Sequence, residues 1–194
     1  LGMQLKGLHE KEKAGTLTEQ GLNQLAVVEQ AHERDVFELA DRAEDAKQIV
    51  RGERFYDADL LEGALNTFRE TMVYISAAYY PASLVFYPME SNLGYRPGVS
   101  KEVFACLEDE QVNVYRDLCN QLVLPEVAKE QPDVIGVSIG TQMQLLAGLT
   151  FAKLIKESFP HTHVVVGGNV ITRLQEYLTY HERFFTEVFD SAIL

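Results

Sequence analysis

A short apolar run of mainly β-branched residues, Val134–Ile139, constrains the fold of this chain more than any other feature. A continuous run of that length is typical of a strand buried on both faces of a parallel sheet. A second run of the same kind, His163–Val166, follows after a stretch whose apolar residues have helical spacing, and Pro160 ends that stretch. This part of the chain therefore predicts a strand, a helix and a second strand in succession.

The chain continues the same pattern beyond the second run. Val170–Tyr180 has apolar residues at helical spacing, and the residues 192–194 are predicted to begin a third strand. Parallel strands need crossover connections, which are right-handed in nearly all proteins. The sequence thus predicts an α/β fold with a parallel sheet in its C-terminal half.

The N-terminal part differs, because the apolar side chains of residues 16–75 recur every three or four positions among acidic ones. This spacing predicts amphipathic helices. Gly52 is predicted to end one of them, and Asp59 is predicted to cap the next at its N-terminus. A further helix is predicted over residues 112–128, where Pro125 should kink or divide it.

An aromatic segment, residues 76–100, separates these two parts. Its prolines, Pro81, Pro88 and Pro97, exclude a continuous helix. Leu84–Tyr87 is predicted to pair briefly as an edge strand. A long irregular segment inside a compact domain is often functional. The alternative interpretation is a lid of aromatic side chains that covers the core.

Charge and cysteine content exclude several classes of protein. The 194 residues include 17 basic and 29 acidic side chains, which gives a formal net charge of −12 and argues against nucleic-acid binding and against docking on an anionic membrane. No run reaches the roughly 18 apolar residues of a transmembrane helix. Residues 1–15 lack the apolar core of a signal peptide. Two cysteines, Cys106 and Cys119, cannot build a disulfide framework and are expected to be small buried apolar groups. We expect a cytoplasmic protein without nucleic-acid or membrane partners.

Two loops are placed where a ligand would bind. Ligands of open parallel sheets bind beyond the carboxyl ends of the strands, and the loops Ser138–Gln144 and Gly167–Thr172 occupy that edge. Gly167 and Gly168 let a bulky ligand approach the backbone, or they merely turn the chain. Neutral donors and acceptors for a large cofactor are supplied by four side chains, those of Ser138, Thr141, Gln142 and Asn169.

The familiar catalytic motifs are absent from the sequence. Neither loop matches the Walker pattern GxxxxGK(S/T) or the dinucleotide fingerprint GxGxxG, which argues against nucleotide hydrolysis and hydride transfer. The five histidines form no HxxxH or HExxH pair, and no GxSxG elbow is present. The residue pattern alone therefore predicts a binding edge without naming a reaction.

At these loops the chain resembles the cobalamin-binding domain that precedes the catalytic barrel in cobalamin-dependent radical SAM proteins. The resemblance covers roughly residues 60–194, including the region Ile75–Leu84. It is carried mainly by a "PDxIGxSI…GG" pattern and its surroundings, namely Pro132–Ile139, Gln142, Leu149–Lys156, Pro160 and Val164–Leu174.

The resemblance implies a Rossmann-like (flavodoxin-like) parallel sheet with helices on both faces, preceded by an α-helical N-terminal region. It divides the chain into a helical region, residues 1–71, and a cobalamin-binding-like domain, residues 72–194. The corrin would lie at the carboxyl edge of the sheet. Carried over by position, the implied cofactor-binding residues are Ser138, Thr141, Gln142, Gly167, Gly168 and Asn169. A Gly168→Leu substitution is then expected to block cobalamin uptake while leaving the fold intact.

The resemblance also implies a longer parent protein. In such proteins a downstream domain with a [4Fe-4S] cluster cleaves S-adenosylmethionine, and that domain is the expected partner of this one. The cluster motif CxxxCxxC is absent from the sequence, and the family segment Gly-Glu-Gly-Glu would begin just after Leu194. We therefore expect a fragment that presents cobalamin and is not catalytic alone, from a radical SAM methyltransferase or a related enzyme.

The chain departs from the family pattern at one motif, and two other functions are also considered. The chain lacks the DxHxxG motif, whose histidine binds cobalt in methionine-synthase-like domains. Many radical SAM relatives lack this motif too. One alternative is a ligand-free Rossmann-like domain that serves structure or interaction. A second alternative is a receiver-like regulatory domain. It would need an acidic pair after the first strand and an aspartate after the third, and the sequence shows neither.

Overall fold

The computed structural model describes residues 2–32, 36–86 and 90–194. The chain divides into two compact units, with the boundary between Gly94 and Tyr95. We refer to the N-terminal one as unit 1 and to the C-terminal one as unit 2. The domain boundary implied by the family resemblance, between residues 71 and 72, stays a prediction. The compact division falls later because one long helix crosses position 71 without interruption.

Unit 1 is mainly helical, as the spacing of its apolar residues predicts. Helix α1 packs against α2, and α3 packs along α4. Strands β1 and β2 pair antiparallel, so that Ser83 lies opposite Asn92. Leu84 and Val85 of the predicted edge strand belong to this pair, whereas Tyr87 lies outside the described residues. The elements are α1 (Gly2–Lys13), α2 (Glu19–His32), α3 (Val36–Arg51), α4 (Ala58–Ala78), β1 (Ser83–Val85) and β2 (Glu90–Asn92).

The N-terminal cap of α4 is Asp57, not the predicted Asp59. One carboxylate oxygen of Asp57, Oδ1, accepts the backbone N–H groups of Asp59 and Leu60, each at 3.1 Å. A cap residue has extended backbone and stands just before the first helical turn, and Asp57 meets that condition with φ −84° and ψ 110°. Asp59 lies inside the first turn, where its charge complements the helix dipole instead.

Unit 2 has the mixed α/β composition that the sequence predicts. Its three-stranded sheet is parallel, in the order β3-β4-β5. The arrangement of a parallel sheet connected by helices is compatible with a Rossmann-like fold. The elements are α5 (Ser100–Glu108), α6 (Val114–Leu118), α7 (Leu124–Glu130), β3 (Val134–Ser138), α8 (Leu145–Ser158), β4 (His163–Gly167), α9 (Asn169–Arg173), α10 (Gln175–Thr179), α11 (Arg183–Glu187) and β5 (Ser191–Ile193).

Two predicted helices of unit 2 are divided. The chain from 114 to 130 passes from α6 through one π-helical turn, Cys119–Val123, into α7, with Pro125 in the first turn of α7. The division that Pro125 predicts is thus confirmed, because a proline needs no N–H partner in a first turn. The single helix predicted over Val170–Tyr180 is wrong, since α9 and α10 are separate helices that meet at Leu174.

The prediction that strand β3 is buried on both faces is wrong. Val134, Gly136 and Ser138 are exposed on one face, and Val134 keeps 59% of its surface. On the opposite face, Val164 and Val166 of β4 are fully buried, and Ile135 and Val137 of β3 are partly buried. Right-handed crossovers between successive neighbouring strands place their helices on the same face. The order β3-β4-β5 therefore leaves the other face without a covering helix from unit 2, and we call it the bare face.

Both cysteines are free and fully buried, which confirms the expectation made for them. Burial, with a smaller contribution from the negative charge of Asp109, raises the pKa of the Cys106 thiol to about 12. Burial also raises the pKa of the Cys119 thiol to about 11, against the opposing effect of Arg116. Neutral thiols packed in this way act as small apolar groups. Among the helices of residues 2–32, 36–86 and 90–194, none has the length and apolar character needed to span a membrane.

Candidate functional site

The two loops at the carboxyl edge of the sheet are joined through Ile139. The N–H of Ile139 donates to the carbonyl oxygen of Gly167 at 2.7 Å, and the carbonyl oxygen of Ile139 accepts the N–H of Val170 at 3.2 Å. These bonds extend the β3–β4 pairing beyond Ser138. The loop after β3 and the loop after β4 consequently begin side by side, which is the arrangement that a ligand bridging both loops requires.

Gly168 is required by the packing of the chain itself. Its φ of +105° is a backbone conformation that favours glycine, and a Cβ at this position would lie 2.7 Å from the carbonyl oxygen of Ile139. The absence of a side chain therefore allows the backbones after β3 and β4 to approach each other. The glycine pair was expected either to let a ligand approach the backbone or to turn the chain. For Gly168, this observation favours a role in turning the chain. The expectation that Gly168→Leu leaves the fold intact is wrong, because the side chain would displace the backbone at Ile139.

Gly167 has a different environment from Gly168. It lies opposite Ser138 in the β3–β4 register and opposite Ile193 in the β4–β5 register, so the three share the bare face. A Cβ on Gly167 would lie 3.4 Å from the carbonyl oxygen of Ile193, which is tight but not forbidden. Ser138 is exposed, and Ile193 keeps 66% of its surface. At the carboxyl end of the sheet, the bare face therefore carries only small or apolar uncharged groups.

The loop after β3 is held by a residue that sequence reasoning missed, Gln144. Its side-chain oxygen Oε1 accepts the N–H groups of Gly140 at 2.9 Å and of Thr141 at 3.1 Å. In return, the Thr141 side chain accepts the backbone N–H of Gln144. This reciprocal pair is a capping box, and the signal for it is the Thr-x-x-Gln pattern at 141–144. The Thr141 hydroxyl therefore has a structural partner and is committed to the shape of the loop.

Three of the predicted site side chains are exposed and form no hydrogen bond with the described residues: Ser138, Gln142 and Asn169. Ser138 ends β3, Gln142 opens the turn before α8, and Asn169 is the first residue of α9. The loops Ser138–Gln144 and Gly167–Thr172 contain no ionisable side chain. Such an edge offers neutral hydrogen-bonding groups and backbone atoms to a ligand, and it offers no charge.

The two loops at this edge contain no His, Cys, Asp or Glu side chain. No group of three His, Cys, Asp or Glu side chains suited to a metal ion occurs among the described residues. His163, which lies in strand β4, stands at the amino end of the sheet, where its Nε2 is 2.8 Å from the Ser191 hydroxyl. It is therefore at the opposite end of β4 from Gly167. Any ligand at the carboxyl edge would depend on hydrogen bonds and shape.

Comparison with protein-family models, with curated proteins and with solved structures finds no match to this chain.

Proposed function

We propose that the chain contains a cobalamin-binding or cobalamin-binding-like domain of a radical SAM enzyme. The observation that carries this proposal is the pairing of the loops after β3 and β4 through Ile139, with three uncommitted neutral side chains around them. The stretches that resemble the family, Pro132–Ile139 and Val164–Leu174, are the same ones that build this edge. Sequence resemblance and geometry therefore point to one place in the fold.

The finer fold assignment is part of the proposal. A Rossmann-like (flavodoxin-like) sheet has helices on both faces, and helices α8 and α9 contact strands of the sheet in unit 2. The bare face, with Val134, Val165 and Ile193, is where a second helical layer would pack. Parallel sheets are normally covered on both faces, so the exposure of Val134 and Ile193 supports this interpretation.

The residues present fit a corrin held by its periphery. The rim of a corrin carries amide groups, which exchange hydrogen bonds with neutral side chains such as Ser138, Gln142 and Asn169. Gly167 leaves the neighbouring surface shallow, and Thr141 with Gln144 fixes the loop that carries Gln142. The two loops contain no histidine that could bind the cobalt. When bound, cobalamin supplies a carrier for a methyl group.

The roles of these residues are binding and orientation. Ser138 and Asn169 would hold the rim of the corrin from two adjacent loops, and Gln142 would hold it from the start of α8. We propose that the chain presents the corrinoid to a downstream domain with a [4Fe-4S] cluster and S-adenosylmethionine, and that this domain is its partner. The reaction itself would belong to that domain, since neither loop at the carboxyl edge carries an ionisable side chain.

Titration with hydroxocobalamin tests the proposal. We expect a saturable change in the visible spectrum of the cofactor and its retention by the protein in equilibrium dialysis. Gln142→Ala and Asn169→Ala should each weaken binding by about 3- to 10-fold, as the loss of one hydrogen bond does. Gln175→Ala is the matched control, because Gln175 is an exposed glutamine at the start of α10, outside both loops. Absence of uptake by folded protein at high micromolar cobalamin would reject the cofactor part of the proposal.

A ligand-free structural or interaction domain is the second candidate. The observation that favours it is the internal role of Gly168, whose missing side chain is explained by the contact with Ile139 alone. This function predicts no cobalamin uptake together with concentration-dependent association in sedimentation, which separates it from the first candidate.

A further inference from the structure

A cavity of about 90 Å³ lies inside unit 2, and none of the six predicted site residues lines it. The partly exposed residues Pro97, Ser100 and Tyr177 and the exposed Gly98 mark its opening. Its buried wall is formed by side chains of α8 to α11 and of the segment before β5, namely Leu145, Leu149, Ile171, Leu178, Phe184 and Phe189.

This cavity opens to the surface of unit 2, so a ligand can enter it from solvent. A water molecule takes up about 30 Å³ in the liquid and needs two to four polar partners to remain inside a protein. The six buried side chains of the wall are aliphatic or phenyl groups and carry no hydrogen-bonding atom. The wall is therefore suited to an apolar occupant and unsuited to a water cluster.

We propose that the cavity is a binding site for a small, uncharged, apolar molecule, such as a single aromatic ring or a short alkyl chain. Engineered cavities of about 150 Å³ with Leu, Ile and Phe walls stay dry and bind benzene or xenon. The cavity of unit 2 has the same residue types and a somewhat smaller volume of about 90 Å³, so one six-membered ring is near its upper limit. Its aromatic side is formed by Phe184 and Phe189, whose rings are nearly parallel with centroids 6.3 Å apart.

The position of the cavity connects it with the two loops. Leu145 is the first residue of α8, which directly follows the loop after β3. Ile171 is in the middle of α9, which begins in the loop after β4. A molecule packed between these helices adds contacts to both, and it should make the opening of either helix end less frequent. This binding site is separate from the carboxyl edge, so the proposal holds whether or not cobalamin binds there.

Benzene is the probe for the test, with the full chain followed by methyl NMR. We expect saturable shifts of the methyl groups of Leu145, Leu149, Ile171 and Leu178, together with a higher thermal midpoint of unfolding. The methyl groups of Leu107, which is buried in α5 and does not line the cavity, should not move. Shifts that rise linearly without saturation, or that are spread evenly over the chain, would overturn the proposal.

A matched pair of variants tests whether the ligand binds in the cavity. Leu149→Phe adds volume to the cavity wall and should abolish the saturable shifts. Leu154→Phe is the control, because Leu154 is also buried in α8 but does not line the cavity. Retained binding in Leu154→Phe with loss in Leu149→Phe supports the proposal, and equal binding in both folded variants overturns it. If Leu149→Phe does not fold, the wild-type methyl shifts decide the question.

Discussion

The side-chain amide of Asn113 donates a hydrogen bond to the Thr150 hydroxyl at 2.9 Å, and both residues are fully buried. The same amide nitrogen donates to the carbonyl oxygen of Cys106 at 2.9 Å, and the Asn113 oxygen accepts the N–H of Tyr115 at 3.2 Å. The bond to Thr150 fastens the turn between α5 and α6 to helix α8, which lies against the sheet. A buried polar group is costly when one of its partners is removed.

Asn113→Ala should therefore destabilise the chain strongly. The substitution leaves the Cys106 carbonyl and the Thr150 hydroxyl without this partner and removes the cap of α6. We expect a loss of about 2–4 kcal/mol in the free energy of unfolding, since each lost hydrogen bond contributes about 0.5–1.5 kcal/mol and a lost helix cap about 1 kcal/mol. Urea unfolding followed by circular dichroism measures it. Thr179→Ala is the control, because Thr179 is exposed and bonds only to its own helix. Equal effects of the two substitutions would contradict this account of Asn113.

Gly168→Ala should also destabilise the chain, because even one methyl group would meet the Ile139 backbone at 2.7 Å. Backbone strain and overpacking each cost about 1–3 kcal/mol, so we expect about 2–4 kcal/mol. Gly98→Ala provides the comparison, since a Cβ there meets no atom within 4 Å. Thermal or urea unfolding separates the two variants. A Gly168→Ala protein as stable as Gly98→Ala would show that the loops are not held together in this way.

The sequence predicts the elements of unit 2 better than their surroundings. Strands β3 and β4 start where they were expected because β-branched runs are local signals. The choice between Asp57 and Asp59 as the cap of α4 is ambiguous, since both carboxylates lie just before an apolar stretch. The exposure of Val134 depends on the order of the strands in the sheet, for which the sequence has no local signal. The contact of Gly168 with Ile139 joins residues far apart in the chain, whereas the Thr-x-x-Gln pattern at 141–144 indicates the capping box locally.

Asp190 should make stability depend on acid pH. Although burial of its carboxyl group acts in the opposite direction, hydrogen bonds from the Lys156 ammonium and from the Val164 N–H hold the pKa of Asp190 below its usual value. The Val164 bond is 2.7 Å long. A carboxyl group with a lowered pKa in the folded state stabilises the fold above its unfolded pKa, near 4, and loses that effect as the pH falls through the folded pKa.

The expected result is that wild type exceeds Asp190→Asn in stability at pH 6 and that the difference shrinks steadily below about pH 4. Urea unfolding at a series of pH values measures the difference. Asp133→Asn serves as the reference, because the Asp133 side chain is exposed and forms no hydrogen bond or ion pair with the described residues. A difference that stays constant from pH 6 to pH 2 would contradict the role given to the Lys156 and Val164 contacts.

The two thiols should be unreactive in the folded protein. Thiolate is the reactive form, and the raised pKa values of about 12 for Cys106 and about 11 for Cys119 keep both groups protonated at pH 8. Both side chains are also fully buried. We expect slow labelling by a disulfide reagent such as DTNB in buffer and rapid labelling of both thiols in urea. Rapid reaction of either thiol in buffer, with the fold intact, would show that its helix opens readily.

A valine-to-lysine substitution should have different consequences on the bare face and on the covered face of the sheet. Val134 of β3 is 59% exposed on the bare face, whereas Val166 of β4 is fully buried under the helices. Val134→Lys leaves the ammonium group in water and should change the free energy of unfolding by less than about 1 kcal/mol. Val166→Lys buries a charge without a partner and should cost about 4 kcal/mol or more, or prevent folding. Urea unfolding of both variants measures the contrast. A large loss in Val134→Lys would mean that this face is covered in solution, and sedimentation of the same sample would then reveal whether a second copy of the chain covers it.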